Sequence, residues 1–568
     1  MTITAASMQK DVYKEFHSRA YHPDVTEVYA NYTSRSGKLS NVENSDKVAF
    51  VGLQYFIKSY LQEEWAAFFQ ADKATAVAQH KRIMSAMLGY PVNVKYLEDL
   101  HDLGYLPLKI KALPEGSLVP YLVPPITVVN TKEGFQWLTN MIETVLSCEN
   151  WPIQTSATTS VAYMKVFQEF AHKTGLPMDF VPFQGHDFSF RGMFGKHAAA
   201  MSGFGHLASG LVGTDTIPAV LFAEKYYGAN VEQELVGCSV DATEHSVTCS
   251  WIMEGEIEFF KYLMREQSPT GVLSVVSDTW DFWTLVTEYL PQLKDDIMAR
   301  EGTLVIRPDS GDPVKILTGY KVSPVADYRE LFQTQAEAEQ AVMADGYEAY
   351  CWQGAYFSFD EDSVNKNSVN ENSVNENGFN QDSFNQDSFN ENGLSENRRI
   401  SLMPCEVKGL IECLWDIFGG TMTNKGFKLL DAHIGAIYGD AITLKRQRQI
   451  LQRLMDKGFA SKVVLGIGSY SYQYVTRDTH SSVVKATSVV KNGERVSIFK
   501  DPKTDTQKKS AKGLLKIERV NGELTLFDDV TEAEEEQGLL EVVFEDGKLM
   551  KETTLAQIRA TINAQIEF

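Results

Sequence analysis

The feature that most limits the fold is a unit that recurs along the chain. A short β-branched run ends in a polar turn, and a helix-like stretch follows. GVLSVVSD (271–278) stops at Ser277 and Asp278, and TWDFWTLVTEYL comes next. TLVIRPDSG (303–311) repeats the pattern with Arg307 and Asp309 at the turn. GAIYGD (435–440) stops at Asp440, which is placed to cap the helix ITLKRQRQILQRLMDK, with Gly458 to close it. SKVVLGIGS (461–469) ends in glycines, and LVGTDTIPAVLFAEKYYG (211–228) sets Asp215 before a helix that ends at Gly228. Strand followed by helix, repeated, argues for α/β architecture with parallel strands and crossover helices, in a barrel or a doubly wound sheet. In either fold the polar residues just past the strand ends share one face, and the active site lies there. Arg307 and Asp309 fall at such a point. An ion pair that only closes a barrel end is the structural alternative.

The two ends of the chain read differently. SSVVKATSVVKNGERVSIFKDP and LLKIERVNGELTLFDDV alternate apolar and polar residues about N-G pairs at 492–493 and 521–522, the signature of antiparallel hairpins. LKIKALPEGSLVPYLVPPITVVN (108–130) reads as strands and turns. The expected organisation is a β-rich domain from 1–150 with 480–568, and an α/β-barrel-like catalytic domain over 151–479. A chain of 568 residues is too long for one ordinary core. Within the second domain, 318–406 reads as an inserted segment. Its centre, 363–397, is a run of Asn-rich pentads (SVNKN, SVNEN, GFNQD, SFNQD) too polar to offset its own ordering entropy. It is expected to be a dispensable spacer, with a lid over the site as the other reading, and its flanks look only weakly ordered.

Charge excludes some partners. Lys plus Arg total 53 against 75 Asp plus Glu, a net −22, so the surface as a whole repels nucleic acid and anionic lipid. A polyanionic ligand needs a local basic pocket. The cysteines (148, 238, 249, 351, 405 and 413) form no C-x-x-C pair and no zinc spacing, and read as reduced, mostly buried thiols. No apolar run approaches the roughly 18 residues of a membrane span, so a cytoplasmic, soluble protein is expected.

Several short stretches could carry chemistry. In GHDFSFRG (185–192), Phe188 can stack on a flat ring and Arg191 can hold a carbonyl or phosphate oxygen, with His186 nearby. A core phenylalanine beside a solvated arginine is the plainer reading. SVDATEHS (239–246) sets Glu244 beside His245, a candidate base or phosphoryl acceptor, or simply a structural histidine. GIGS (466–469) offers backbone N–H groups after a strand, without the spacing of a P-loop or dinucleotide fingerprint. In KDPKTDTQKKSAKG (500–513) lysines outnumber aspartates, which suits polyphosphate or a solvated loop.

Taken in order and spacing, RGMFG, GTDT, the HS after Glu244, SVVSD, IRPDSG, YGD, the glycine turn with QYVTRD, and IFKDP resemble the nicotinamide phosphoribosyltransferase family. The likeness runs from DVYKEFH to the C-terminal hairpins, apart from the insertion. It implies the type II phosphoribosyltransferase fold, an α/β-barrel-like domain plus a β-rich domain built from both chain ends. It implies condensation of nicotinamide with phosphoribosyl pyrophosphate to nicotinamide mononucleotide and pyrophosphate, in NAD salvage. Nicotinate is the alternative substrate. It also implies a homodimer with shared sites, Mg2+ as cofactor, and ATP as co-substrate through a phosphohistidine.

Carried over residue by residue, Phe188 and the partner's Tyr13 would sandwich the pyridine. Arg191 would donate to the amide oxygen and Asp215 accept from the amide nitrogen, with Ser239, Ala242 and Ser274 also contacting substrate. Arg307 would lie near the ring and ribose, and Asp309 would accept from ribose hydroxyls. Gly439 and Asp440 would touch ribose and phosphate, and Gly468, Ser469 and Arg477 the 5′-phosphate. Arg35, Lys485, Lys500 and Lys508 would receive pyrophosphate and ATP. His245 would be phosphorylated, with Asp278 its partner, and Asp278 or Asp309 would reach magnesium through water, its direct ligands being undetermined. The chain departs from the family in GIGSYSY, where more glycines are usual, in IYGDA, which lacks a preceding arginine, and at Asp241, where proline is expected. Two other classes compete. A barrel hydrolase would use paired carboxylates among Asp278, Asp309 and Asp440. A binding protein on the same scaffold would have no need of Asp215, Arg307 and His245 together.

Overall fold

The structure is a computed structural model that describes residues 5–320, 323–324, 349–352, 355–358, 400–401, 403–439, 442–500 and 511–566. The chain divides into two compact units: 1–239 with 439–448 and 461–568, and 240–438 with 449–460.

The first unit holds a seven-stranded antiparallel sheet made from both chain ends. Its order is Glu494–Ser497, Val483–Lys491, Val25–Thr33, Ile126–Asn130, Leu108–Ala112, Glu541–Glu545 and Lys548–Leu549. Alternation explains the strands: along Leu108–Ala112 every second residue is buried. The buried set joins Phe56, Trp65, Leu97, Trp137 and Phe544 in one core. Both expected hairpins are present. Asn492 and Gly493 have φ of 53° and 79°, and Asn521 and Gly522 have 52° and 87°. Positive φ at both central residues matches the twist of the flanking strands, and Asn-Gly tolerates it best.

The same unit contains a helix that the sequence did not announce, Glu143–Thr174. It carries Pro152 and a Ser/Thr-rich middle, both poor helix signals. Hydroxyls there bond back to carbonyls four residues earlier: Thr155 to Trp151, Thr158 to Gln154, and Ser160 to Ser156. Small residues let it approach the helix Lys196–Ala208 closely. Ser156 and Ser202 hydroxyls lie 2.9 Å apart, and a Cβ on Gly205 would sit 2.8 Å from the Ile153 carbonyl oxygen. The boundary expected at 150 lies inside this helix. Beside it run parallel strands: Val464–Ile467 pairs with Gly185–Asp187, and that strand pairs with Gly213–Thr214.

In the second unit, Ile434–Tyr438, Glu301–Arg307, Thr270–Val276 and Asp241–Ala242 form a parallel sheet in that order. Leu273, Val275, Leu304, Ile306 and Ile434 are buried along it. After Asp278 the expected helix begins at Phe282, where the Asp281 carboxylate accepts from the Thr284 N–H. The flanks of the insertion form a small sheet, in which Ala349–Trp352 pairs with Ala355–Ser358 and Ile400–Ser401. The rest of 321–362, with 398–399 and 402, lies outside the described residues. The pentad repeat lies outside the described residues.

Two local expectations need correction. The helix expected to start after Asp440 spans Leu444–Asp456, and the Thr443 hydroxyl, 3.3 Å from the Arg446 N–H, caps it. Gly458, with φ of 78°, follows it as expected. Among the described cysteines, only Cys405 and Cys413 are buried, whereas Cys148 and Cys249 are exposed and Cys238 is half-buried. Cys148 and Cys249 sit on helices, where a face can point outward whatever its residue type. No helix among the described residues is long and apolar enough to cross a membrane.

Candidate active site

In the first unit the site is built on the ends of the parallel strands. Phe188 follows Gly185–Asp187, and its N–H donates to the Ile467 carbonyl at 3.0 Å. His186 and Phe188 are two residues apart at the strand end, and their rings lie 4.4 Å apart at 32°. His186 Nε2 donates to Asp215 Oδ1 at 3.0 Å, and Ser239 Oγ donates to the same oxygen at 2.6 Å. Asp215 follows its own strand, and its N–H reaches the Asp187 carbonyl at 3.1 Å. Its side chain is 48% exposed. An aromatic face, an ionisable acceptor and a hydroxyl therefore sit together at the mouth of three strand ends.

Glycines make the close approaches around them. A Cβ on Gly466 would lie 2.8 Å from Phe188 Cδ2 and 2.6 Å from the Gly439 carbonyl oxygen. A Cβ on Gly192 would collide with the Ser469 side chain, so the turn Phe190–Gly192 that bears Arg191 rests on Ser469. Gly468 caps the short helix Ser469–Gln473. Gly439 and Phe188 thus both border Gly466, and Ser469 lies against the turn that bears Arg191. Asp440 lies outside the described residues.

A cationic cluster occupies the same unit. Burial, the Lys500 charge, and then Arg35 and Arg477 push the Lys485 ammonium below its usual range, against the pull of Glu143. Four cations grouped in so acidic a chain make a local positive field that suits an anion. Arg35 Nε is held by the Ser481 carbonyl at 3.2 Å, and Arg477 pairs with Asp478 at 3.1 Å. Lys508 lies outside the described residues. Tyr13 is 60% exposed on the turn Val12–Phe16, beside His17 and Lys14.

The second unit supplies the remaining candidates. Ala242 is opposite Ser274 in the sheet, and Ser274 Oγ is buried with no hydrogen-bond partner among the described residues. Arg307 pairs with Asp309 at 3.1 Å. Asp278 Oδ2 accepts from the Asp309 and Ser310 N–H groups at 2.8 and 2.6 Å and from Ser310 Oγ at 2.6 Å. His245 Nδ1 meets Thr279 Oγ1 at 3.0 Å, and Nε2 lies 3.8 Å from Asp278 and 4.0 Å from Asp309. His245, Asp278, Arg307 and Asp309 are therefore one cluster rather than scattered surface groups. Asp278 Oδ1 and Asp309 Oδ1 are buried and accept no hydrogen bond among the described residues.

A family model described as the nicotinate phosphoribosyltransferase (NAPRTase) family matches residues 183–356 and 378–548, which include Phe188, Asp215, His245, Asp278, Arg307 and Asp309 but not Tyr13 or Arg35. The chain belongs to this family. Among phosphoribosyltransferase relatives, it is 43% identical to a nicotinamide phosphoribosyltransferase from Acinetobacter baylyi, over 98% of this chain and 97% of that one. It is 28% identical to a nicotinamide phosphoribosyltransferase from Xanthomonas campestris, over 98% of each chain. The structure is similar to that of a nicotinate-nucleotide pyrophosphorylase from Pyrococcus furiosus, with a TM-score of 0.51, 12% identity, and coverage of 100% of this chain and 97% of that one. The mixed architecture, with parallel strands in each unit and antiparallel sheets beside them, is that of the type II phosphoribosyltransferases.

Some members of the site had no signal in the sequence reading. Thr279 opens the helix-like stretch TWDFWTLVTEYL and Ser310 lies in the IRPDSG turn, and neither has a feature of its own beyond directly following an aspartate. Gly192 and Gly466 matter for what they leave out, which only the packed structure reveals.

Proposed function

We propose that this phosphoribosyltransferase condenses nicotinamide with phosphoribosyl pyrophosphate, giving nicotinamide mononucleotide and pyrophosphate in NAD salvage. The observation that carries the reading is Asp215 held beside the Phe188 ring, at 3.0 Å from the His186 that packs on it. An ionised carboxylate accepts the N–H of a carboxamide. It repels the carboxylate of nicotinate by about 4 kcal/mol at 4 Å and an effective dielectric near 20. The family's printed name suggests nicotinate as the second reading, and Asp215 argues against it.

The roles follow from the chemistry. Phe188, with the partner's Tyr13 in a homodimer, would stack on the pyridine. The ring becomes cationic as its nitrogen bonds the anomeric carbon and pyrophosphate leaves. Aromatic faces favour that charge by about 0.5–2 kcal/mol, so stacking acts on the transition state more than on neutral nicotinamide. Arg191 would donate to the amide oxygen, and Ser239 orients Asp215. The backbone at Gly468 and Ser469, with Arg477, suits the 5′-phosphate, with Gly439 and Asp440 beside the sugar phosphate. Arg35, Lys485, Lys500 and Lys508 suit pyrophosphate and the ATP phosphates. In the second unit, Arg307 and Asp309 suit the ribose, and Ala242 and Ser274 complete the wall there.

His245 would take the γ-phosphoryl group of ATP, forming an N–P bond as the bond to ADP breaks. A phosphoryl group at Nε2 would meet the carboxylates of Asp278 and Asp309, so Nδ1 is the better acceptor. Asp278, 3.8 Å from Nε2, would then be the carboxylate that faces the imidazole. No group of three or more His, Cys, Asp or Glu among the described residues could hold a metal. Two buried carboxylate oxygens suit a hard cation bound mainly by phosphate and water, so Asp278 and Asp309 would hold Mg2+, which would neutralise charge on the pyrophosphate.

Purified protein with phosphoribosyl pyrophosphate, Mg2+ and nicotinamide should form nicotinamide mononucleotide, faster with ATP. His245→Ala should keep slow synthesis and lose the ATP benefit. Unchanged ATP stimulation would remove His245 from the scheme, and no mononucleotide from the wild type would refute the activity.

A further inference from the structure

One imidazole touches both walls of the proposed pyridine site. The His186 ring packs on Phe188 at 4.4 Å, and its Nε2 reaches Asp215 Oδ1 at 3.0 Å. His186 is 7% exposed, whereas the Asp215 side chain is 48% exposed, so the histidine is the fixed partner. Its seat is made by a glycine on the neighbouring strand. A Cβ on Gly213 would lie 2.9 Å from His186 Nδ1 and 3.3 Å from its Cα. No larger residue fits there without moving the ring. Nδ1 bonds to no group among the described residues, so Nε2 is the ring nitrogen that serves Asp215.

We propose that His186 is a positioning residue that sets the preference for a neutral carboxamide over a carboxylate, by holding the Asp215 carboxylate in register with the Phe188 ring. This rests on the nicotinamide reading above. The physical reason is the charge-assisted bond from Nε2–H, which stabilises the carboxylate and fixes its direction. With Ser239 Oγ on the same oxygen at 2.6 Å, Oδ1 is committed to the protein. Without the imidazole donor, the carboxylate turns more freely and no longer faces the substrate's carboxamide or carboxylate in one fixed direction.

The test is substrate choice in three variants. His186→Phe keeps a ring on Phe188 and deletes the donor. It should lower the ratio of kcat/KM for nicotinamide to that for nicotinate by about tenfold or more, with KM for phosphoribosyl pyrophosphate within about twofold of wild type. His186→Gln keeps a donor without the ring. It should hold the ratio within about threefold while raising KM for nicotinamide. If circular dichroism shows the phenylalanine variant unfolded, His186→Asn, whose amide is too short to make the contact, carries the same expectation of a lowered ratio. A ratio within about twofold of wild type in the donor-deleted variant would overturn the proposal. Wild type that makes nicotinamide mononucleotide while the ratio stays put would overturn this proposal alone. Wild type that makes none would overturn the functional reading and this proposal with it.

Discussion

In the proposed function, substrate choice turns on Asp215, whose carboxylate is bonded by His186 and Ser239. Asp215→Asn removes the charge but keeps an acceptor, so the preference for nicotinamide over nicotinate should narrow by at least about tenfold in initial rates. Gly466 tests the ring beside it. Gly466→Ala places a methyl 2.8 Å from Phe188 Cδ2, so KM for nicotinamide should rise by about tenfold with the fold intact by circular dichroism. Residues of this kind were partly legible in the sequence. Asp215, Arg307 and Asp309 stood at the ends of β-branched runs, where α/β folds place their chemistry. The function of His186 was not legible, although a strand period of two already sets it level with Phe188. What the sequence withheld was the contact between His186 and Asp215, which lie 29 residues apart in the chain.

Elements were legible where the signal is local. An Asn-Gly pair between alternating runs fixes a hairpin by its own backbone chemistry, and both such turns have positive φ at each central residue. Gly493→Ala should therefore cost about 1–2 kcal/mol and lower the melting temperature, whereas Asn492→Gly should change it little. The helix Glu143–Thr174 was hidden because its stability comes from burial on several sides and from hydroxyl back-bonds, not from propensity. The turn Arg477–Thr479 leads into a buried histidine. Burial pulls the His480 imidazole down to about 4, and its Nδ1 meets the Tyr121 hydroxyl at 2.9 Å. The folded value lies below the unfolded one near 6.5, so its contribution is fully present above about pH 6.5 and lost as pH falls toward 4. His480→Gln takes up no proton. Its melting temperature relative to wild type should rise between pH 7 and pH 4.5, and a constant difference would refute the assignment.

At the scale of the whole molecule, the chemistry is distributed over distant stretches of chain. The first unit carries the aromatic face, the proposed specificity carboxylate and the cations, and the second carries His245 with Asp278, Arg307 and Asp309. The pentad repeat at 363–397 carries no residue of the proposed site. Deleting it should leave KM for nicotinamide and for phosphoribosyl pyrophosphate within about twofold, and a large rise in either would make it part of the site. The most direct measurement is a competition: equimolar nicotinamide and nicotinate, limiting phosphoribosyl pyrophosphate, Mg2+ and ATP, with the two mononucleotides separated and counted. The account predicts nicotinamide mononucleotide in large excess. Equal amounts, or an excess of nicotinate mononucleotide, would contradict it.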